Sequence, residues 1–251
     1  DTKLSALGRI HGADEALAAI QMAKDSGIKN FNIDLMFGLP GQSIDEAMTD
    51  LNTAFEQAAT HISWYQLTIE PNTVFYKQRP SLPVHDAIWE MQTEGQQLLS
   101  DMAYKQYEIS AYSLKDKQCR HNLNYWQFGD YLGIGAGAHG KLTNIETNKI
   151  SRFVRHRIPE SYMQKAGSGD VIVEEKLLAD DDIVLEFMMN IFRLKDGFSS
   201  SLFAQRTGLA VEELQSLLKI AIERGFVEME NDEIKPSELG RNYLNELLEI
   251  F

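Results

Sequence analysis

The 251 residues are 43% hydrophobic and 24% charged, the ordinary balance of a globular protein with one large domain or two smaller ones. The formal net charge of −13 argues against a nucleic-acid partner, because such binding depends on Lys and Arg side chains that neutralise phosphates. The sequence has no run of about eighteen apolar residues that could span a membrane, no signal peptide and one cysteine, so we expect a cytoplasmic protein without disulfides.

The first part of the chain reads as alternating helices and strands. After a polar opening loop over residues 1–9, the predicted elements are helix 11–26, strand 30–37, helix 43–59, strand 62–69, helix 86–104 and strand 107–114. This alternation is typical of parallel βα units. Three strands are too few for a closed barrel but fit the second half of one. In such a barrel the functional side chains gather where the strands end.

Three residues of this part are candidates for ligand binding. Asp34 lies within an apolar strand run, so it either accepts hydrogen bonds from a ligand inside the barrel or caps a helix or pairs with an Arg in the core. Arg9 precedes the first helix and could hold a carboxylate with its planar fork, or be solvated. Thr68 shares a strand face with Gln66 and could line a cofactor site, or be an ordinary strand-end threonine.

The segment from Cys119 to Lys141 concentrates polar, aromatic and glycine residues. Four side chains that together suit a flat ligand with a polar rim are His121, Asn122, Tyr125 and Trp126. The repeated glycines after them allow close approach to a ligand, or form a turn between two strands. His139 follows these glycines and is either a ligand of haem iron or a histidine satisfied by backbone groups.

The remaining chemistry of the sequence is sparse. Four other histidines are assigned to helix starts, loops or the surface: His11, His61, His85 and His156. No C-x-x-C, H-E-x-x-H, nucleophile-elbow or P-loop motif is present. With one cysteine, the chain cannot by itself hold a structural zinc ion or an iron–sulfur cluster.

Residues 171–251 are predicted to form a winged helix. The pattern is helix 177–194, helix 199–207, helix 211–224, a hairpin turning at 231–232 and helix 237–251. Winged helices commonly bind DNA, but here 8 Lys and Arg stand against 17 Asp and Glu, which gives 8 − 17 = −9. This charge favours a packing domain over a DNA reader.

The sequence resembles a known family along essentially its whole length. The segments LGRIHGADEALAAI, NFNIDLMFGLPGQ, YEIS, HNLNYW and GIGAGAHGK resemble, in this order, the HemW family of haem chaperones, which is related to oxygen-independent coproporphyrinogen III oxidase. The resemblance implies an α/β fold: the second half of a partial (β/α)6 TIM-like radical S-adenosylmethionine barrel, plus a C-terminal winged-helix-like accessory domain. We accordingly expect a partial barrel over 1–115, a Gly/His-rich connection over 116–170 and the accessory domain over 171–251.

The resemblance also implies cofactors. The family holds a [4Fe–4S] cluster through a C-x-x-x-C-x-x-C motif and binds S-adenosylmethionine. This sequence lacks the motif, so we expect the cluster only in a full-length protein and no S-adenosylmethionine cleavage by this chain alone. The resemblance places Arg9, Asp34 and Thr68 at the S-adenosylmethionine site, with Arg9 on the methionine carboxylate and Asp34 on a ribose hydroxyl or the ammonium. His139 stands where the oxidase branch has an apolar residue, which makes it the first candidate for haem contact.

The predicted function is therefore binding of haem and its delivery to acceptor proteins. The alternative is oxidative decarboxylation of coproporphyrinogen III in porphyrin biosynthesis. Because the first barrel strands are expected to lie outside this sequence, residues 30–37 would form an exposed apolar edge, which favours a homodimer or poor solubility.

Overall fold

A computed structural model describes all 251 residues, which form two compact units, Asp1–Gln118 and Cys119–Phe251. Each unit has its own sheets and helices. No helix in either unit combines the length and the apolar character that crossing a bilayer requires. The finer division into 1–115, 116–170 and 171–251 stays a prediction.

The first unit is a four-stranded sheet with five helices. The helices are α1 (Thr2–Ala6), α2 (Ala13–Asp25), α3 (Ile44–Glu56), α4 (Val74–Gln78) and α5 (His85–Asp101). The strands are β1 (Asn32–Phe37), β2 (His61–Gln66), β3 (Lys105–Gln106) and β4 (Ala111–Ser113). They lie in the order β1-β2-β4-β3, which leaves β1 at one edge. The parallel pairing predicted for the first two strands is confirmed, with Asn32 opposite His61.

Local sequence signals explain how α3 begins and how the sheet is covered. Ser43 Oγ accepts the Glu46 N–H at 3.2 Å and Glu46 Oε2 accepts the Ser43 N–H at 2.8 Å, the reciprocal capping box that the sequence predicts. The apolar side chains of β1 and β2 bury one face of the sheet against α3 and α5 in a shared core. At its centre Gly95 of α5 leaves room for Trp64, because a Cβ there would lie 1.9 Å from the indole.

The predicted third strand, residues 107–114, is wrong in extent and direction. Only Ala111–Ser113 forms a strand, β4, and it runs antiparallel to both β2 and β3. The reason is the short connection of four residues between β3 and β4, since a parallel pair needs a crossover of about a dozen residues or more. The Leu114 N–H consequently donates to the carbonyl of Thr60, just before β2. The chain thus leaves the sheet at the end opposite the loops that follow β1 and β2.

The opening residues and the second strand also differ from the prediction. Residues 1–9 are not only a loop, because Thr2–Ala6 forms the short helix α1. The second strand ends at Gln66 rather than at residue 69. Thr68 therefore lies in the loop after β2, and it does not share a strand face with Gln66.

The second unit contains two three-stranded sheets. Their strands are β5 (His139–Asn144), β6 (Lys149–Arg155), β7 (Ile172–Leu177), β8 (Phe198–Ser199), β9 (Val227–Glu230) and β10 (Glu233–Pro236). Both sheets are antiparallel, in the orders β5-β6-β7 and β8-β10-β9. The helices are α6 (Arg120–Trp126), α7 (Pro159–Ala166), α8 (Asp180–Ile191), α9 (Ser200–Thr207), α10 (Gln215–Glu223), α11 (Glu238–Asn242) and α12 (Leu244–Leu248).

The winged-helix arrangement is present in α9, α10 and the β9–β10 hairpin. Asn231 and Asp232 have φ of 48° and 75°, the left-handed pair that a tight hairpin turn requires. The phenylalanine core around Phe187 joins α8 to this arrangement through edge-to-face contacts with Phe198 and Phe203 at 5.2 and 5.1 Å between ring centroids.

Three predicted elements of the second unit have different bounds. The helix predicted over 211–224 is a 3-10 helix over Val211–Leu214, and the α-helix α10 begins only at Gln215. The helix predicted from residue 177 begins at Asp180, because Ile172–Leu177 pairs with β6 as β7. Every residue of β7 is exposed. A strand with no buried face needs no alternation of apolar and polar residues, so the sequence does not mark it as a strand. The final helix predicted over 237–251 is divided at Tyr243, whose ψ of 51° is not helical.

Candidate functional site

The polar face of β1 and β2 carries a connected group of side chains. Asn32 Oδ1 lies 2.6 Å from His61 Nδ1 and accepts a hydrogen bond from Ser63 Oγ at 3.1 Å. The Asn32 amide nitrogen donates to Asp34 Oδ1 at 2.8 Å. His61 Nε2 in turn lies 2.8 Å from the Tyr107 hydroxyl. The parallel register produces this group, because it sets Asn32 beside His61 and Asp34 beside Ser63.

Asp34 is exposed on this face, so the premise that it is a buried carboxylate is wrong. The cause is the edge position of β1, which has no neighbouring strand on its outer side. Its carboxylate accepts a hydrogen bond from Asn32, and neither alternative considered from the sequence, a helix cap or a core Arg, is its partner. An exposed carboxylate of this kind can receive a hydroxyl or an ammonium group.

Arg9 and Thr68 come from two further segments of the first unit. Arg9 is exposed in the turn between α1 and α2, where its backbone N–H donates to the Leu4 carbonyl. Thr68 is exposed in the loop after β2 and donates from Oγ1 to Glu70 Oε1 at 3.0 Å. The structure shows no hydrogen bond that joins Arg9, Asp34 and Thr68, so their shared role as a binding site stays a prediction.

Sequence reasoning missed the most connected histidine of this unit. His61 was assigned to a helix start, a loop or the surface, whereas it is a strand residue that is only 5% exposed. Burial lowers the pKa of its imidazole, and the nearby Asp34 charge opposes that shift in part. The signal lay in the two strands together, since N-x-D and H-x-S place polar side chains at alternate positions of neighbouring strands.

In the second unit α6 carries four of the predicted site residues. Its His121 ring meets Tyr125 edge-on at 4.8 Å between centroids, one turn along the helix, and Tyr125 packs against Tyr131 at 4.3 Å. Trp126 lies apart from this aromatic cluster, under the Arg193 guanidinium at 4.2 Å. Its indole nitrogen is buried and without a hydrogen-bond partner. The fourth residue, Asn122, is half-buried.

His139 is the first residue of β5 and is exposed, in register with Val154. It lies near the end of a loop that two hydrogen bonds of 2.9 Å close between the backbones of Tyr131 and Lys141. A Cβ on Gly133, whose φ is 58°, would lie 1.8 Å from the His139 carbonyl oxygen. At Gly133 the close approach is therefore between backbone segments, which favours the turn interpretation of that glycine.

Lys141 is a second residue that sequence reasoning passed over. Its side chain is 2% exposed, and its Nζ contacts Asp130 Oδ1 at 2.9 Å, the Phe128 carbonyl at 3.0 Å and the Phe128 ring at 4.1 Å. Burial lowers the pKa of the Lys141 ammonium, against the opposing effect of Asp130. Burial raises the pKa of Asp130, but hydrogen bonds from Lys141 and Thr143 outweigh it and the net pKa is below its usual range. The pair holds the glycine loop to the strand.

The side chains of this chain do not form a metal-binding group. No group of three or more His, Cys, Asp or Glu side chains in the 251 described residues is placed to hold a metal ion. Cys119, the one cysteine, is half-buried at the N-cap of α6. A lone thiol does not fit the three-cysteine coordination of a [4Fe–4S] cluster, so we derive no chemistry through such a cluster from these residues.

Comparison with known proteins gives close matches to one group. The chain is 47% identical to the heme chaperone HemW of Haemophilus influenzae and 45% identical to that of Escherichia coli, each over 251 residues and 100% of this chain. It is 31% identical to the heme chaperone HemW of Bacillus subtilis over 259 aligned residues. These alignments cover 64%, 65% and 66% of the three relatives, so the chain spans about two thirds of their length.

Two further comparisons concern domains and fold. Residues 178–243 match the family model described as the HemN C-terminal domain, which here contains the winged helix. The whole chain is similar in structure to coproporphyrinogen III oxidase (HemN) from Escherichia coli, described as a radical SAM enzyme, with a TM-score of 0.76 over 99% of this chain and 61% of that one. At 16% identity this likeness shows the fold alone, and it confirms the predicted fold class.

Proposed function

Because the chain is a HemW homologue along all of its 251 residues, we propose that it belongs to a haem chaperone that binds haem and delivers it to acceptor proteins. The observation that carries the proposal is the whole-length similarity to proteins of that name in three bacteria. Haem as the ligand and acceptor proteins as partners are taken from the names of those relatives, of whose length this chain spans about two thirds. A reducing cytoplasm is part of the same proposal.

The residues of the second unit support a haem site chemically. His121 and His139 present exposed imidazoles, which are common ligands of haem iron. The His121–Tyr125–Tyr131 ring cluster offers flat apolar surface suited to a planar macrocycle. We propose these as the haem-contacting groups, with Asn122 and Trp126 as neighbours on the same helix.

The first unit supports binding of S-adenosylmethionine, which would supply the methionine carboxylate, the ammonium and the ribose hydroxyls for recognition. The exposed Asp34 carboxylate fits a hydroxyl or an ammonium. The exposed Arg9 guanidinium fits a carboxylate through two parallel hydrogen bonds. Thr68 would contribute its hydroxyl beside them. A [4Fe–4S] cluster would be held by residues outside this chain.

A hemin titration followed by visible absorption tests the haem proposal. We expect a saturable Soret shift for this chain that His139→Ala weakens about tenfold or more, because an imidazole–iron bond is lost. His85→Ala removes another exposed imidazole, at the start of α5, and serves as the matched control. Unchanged affinity in His139→Ala would remove that residue from the site.

The alternative function, oxidative decarboxylation of coproporphyrinogen III, is decided by a separate assay. The fold likeness to an oxidase does not itself argue for that activity at 16% identity. An anaerobic product assay, on a protein of the relatives' full length with its cluster intact, should give no protoporphyrinogen IX. Formation of protoporphyrinogen IX would overturn the chaperone proposal in favour of the oxidase activity.

A further inference from the structure

We propose that Asn32 is a positioning residue for Asp34. It ties the exposed Asp34 carboxylate to the buried His61 and so fixes how the carboxylate is presented to S-adenosylmethionine. This inference rests on the proposed role of Asp34 in binding that cofactor. It concerns the polar face of β1 and β2 together with Tyr107 from the connection between β3 and β4, and all of its contacts lie within the first unit.

The charge of Asp34 decides which way the Asn32 amide points. An ionised carboxylate only accepts hydrogen bonds, so the amide must turn its NH2 group toward Asp34 Oδ1, 2.8 Å away. The amide carbonyl then faces His61 Nδ1 at 2.6 Å and Ser63 Oγ at 3.1 Å, which occupies both of its lone pairs. The reversed amide would set its carbonyl oxygen against the carboxylate.

The amide orientation in turn fixes the proton on His61. A carbonyl oxygen cannot donate, so Nδ1 of His61 must carry hydrogen. In the neutral ring, which burial favours by lowering the pKa, Nε2 is left to accept from the Tyr107 hydroxyl at 2.8 Å. Hydrogen bonds therefore run in one direction from Tyr107 through His61 and Asn32 to Asp34.

Burial makes this chain of hydrogen bonds an anchor. His61 and Ser63 are 5% and 3% exposed and Tyr107 is 3% exposed, whereas Asn32 and Asp34 are exposed. An exposed carboxylate on an edge strand would otherwise sample several rotamers and would lose that freedom on binding a ligand. Attachment to buried groups pays that entropic cost during folding, which is the physical basis of preorganisation.

A double-mutant cycle tests the positioning role. The dissociation constant of S-adenosylmethionine is measured by calorimetry in a protein of the relatives' full length, for wild type, Asn32→Ala, Asp34→Ala and the double variant. We expect Asn32→Ala to raise the constant about tenfold, and less than about twofold when Asp34 is already absent. An equal loss in both backgrounds would overturn the proposal, since Asn32 would then act independently of Asp34.

A matched control separates this role from general damage to the strand. Asn30 accepts a hydrogen bond from Thr60 Oγ1 at 2.6 Å, just before β1, and the structure shows no contact between it and Asp34. Asn30→Ala should leave the dissociation constant unchanged. A loss equal to that of Asn32→Ala would count against a specific link to Asp34.

The proton position on His61 provides a second readout that does not depend on the cofactor. Nitrogen-15 NMR of the 251-residue chain should show the Nδ1–H tautomer in wild type and a changed tautomer balance in Asn32→Ala. A wild-type Nε2–H tautomer would overturn the chain of hydrogen bonds. If the tautomer is as expected but Asp34→Ala binds S-adenosylmethionine normally, the cofactor role of Asp34 is overturned and the failure lies with the proposed function.

Discussion

Lys141 and Asp130 form an ion pair in which the two partners have very different exposure. The Lys141 side chain is 2% exposed, the Asp130 side chain is 39% exposed, and Nζ lies 2.9 Å from Oδ1. Asp130 also accepts the Thr143 N–H at 2.7 Å and the Thr143 hydroxyl at 2.9 Å. One carboxylate thus pairs with a buried ammonium and also accepts two hydrogen bonds from Thr143 of β5.

Asp130→Ala should therefore destabilise the second unit by about 2–3 kcal/mol, because it leaves the Lys141 ammonium buried without its charged partner. Urea denaturation combined with hydrogen exchange of the β5 and β6 amides measures the change. Asp182→Ala is the matched control, since Asp182 pairs with Lys176 at 2.8 Å but both side chains are well exposed, and it should have little effect. Equal effects of the two substitutions would contradict a special role for burial.

The Asp130 carboxylate also predicts acid sensitivity. Its pKa is lowered in the folded protein, so its stabilisation is present above the unfolded-state pKa of about 3.9 and is lost as the pH falls through the folded value. We expect the second unit to lose stability below about pH 4. That loss should be smaller in Asp130→Ala. An unchanged acid dependence would assign the effect to other carboxylates.

Tyr112 predicts an alkaline dependence in the first unit. Burial raises its pKa to about 12, so its contribution is present below the unfolded-state pKa of about 10 and is lost as the pH rises toward the folded value. We expect Tyr112 to account for a loss of about 2 kcal/mol over that window, which Tyr112→Phe removes. Tyr104, whose pKa burial also raises, still contributes an alkaline loss in that variant. Fluorescence of Trp64 and Trp89 during urea unfolding reports this unit once Trp126, the one tryptophan of the second unit, is replaced by Phe.

A control for the alkaline experiment is available at Tyr76, which is 46% exposed. Tyr76→Phe removes a phenol without removing a buried one, so the alkaline loss of stability should be that of wild type. If Tyr76→Phe and Tyr112→Phe reduce the loss equally, burial of Tyr112 is not its cause.

Arg9→Ala should weaken S-adenosylmethionine binding about tenfold, because a charge-assisted pair with the methionine carboxylate is lost. Calorimetry on a protein of the relatives' full length measures the affinity. Arg79→Ala is the control, since Arg79 is likewise exposed in the first unit but lies by the Tyr76 ring, 5.9 Å from its centroid. Wild-type affinity in Arg9→Ala would refute the carboxylate role.

The edge strand β1 predicts self-association of this chain. One side of β1 has no neighbouring strand, and unpaired backbone groups at a sheet edge invite pairing with another chain. We expect light scattering to show a mass that rises with concentration, and Met36→Lys to reduce it by placing a charge on the edge. A monodisperse monomer at high concentration would contradict the prediction.

The sequence by itself determined the features that depend on neighbouring residues. Ser43 and Glu46 are three positions apart, so their capping box could be read directly. The turn at Asn231 and Asp232 and the helical periodicity around it predicted the winged helix. Contiguous motifs predicted the similarity to HemW proteins that the comparisons found. Apolar alternation along β1 gave its core-facing side, because side chains of a strand alternate strictly between two faces.

Only the tertiary structure decided the features that depend on which strands meet. His61 lies 29 positions from Asn32, and their contact follows from the register of β1 and β2 rather than from either strand alone. The direction of β4 follows from a four-residue connection that no periodicity reveals. The burial of Lys141 likewise depends on Phe128 and Asp130, which the folding of the glycine loop brings to it. Local patterns specify elements, whereas long-range pairing specifies which polar groups share an environment.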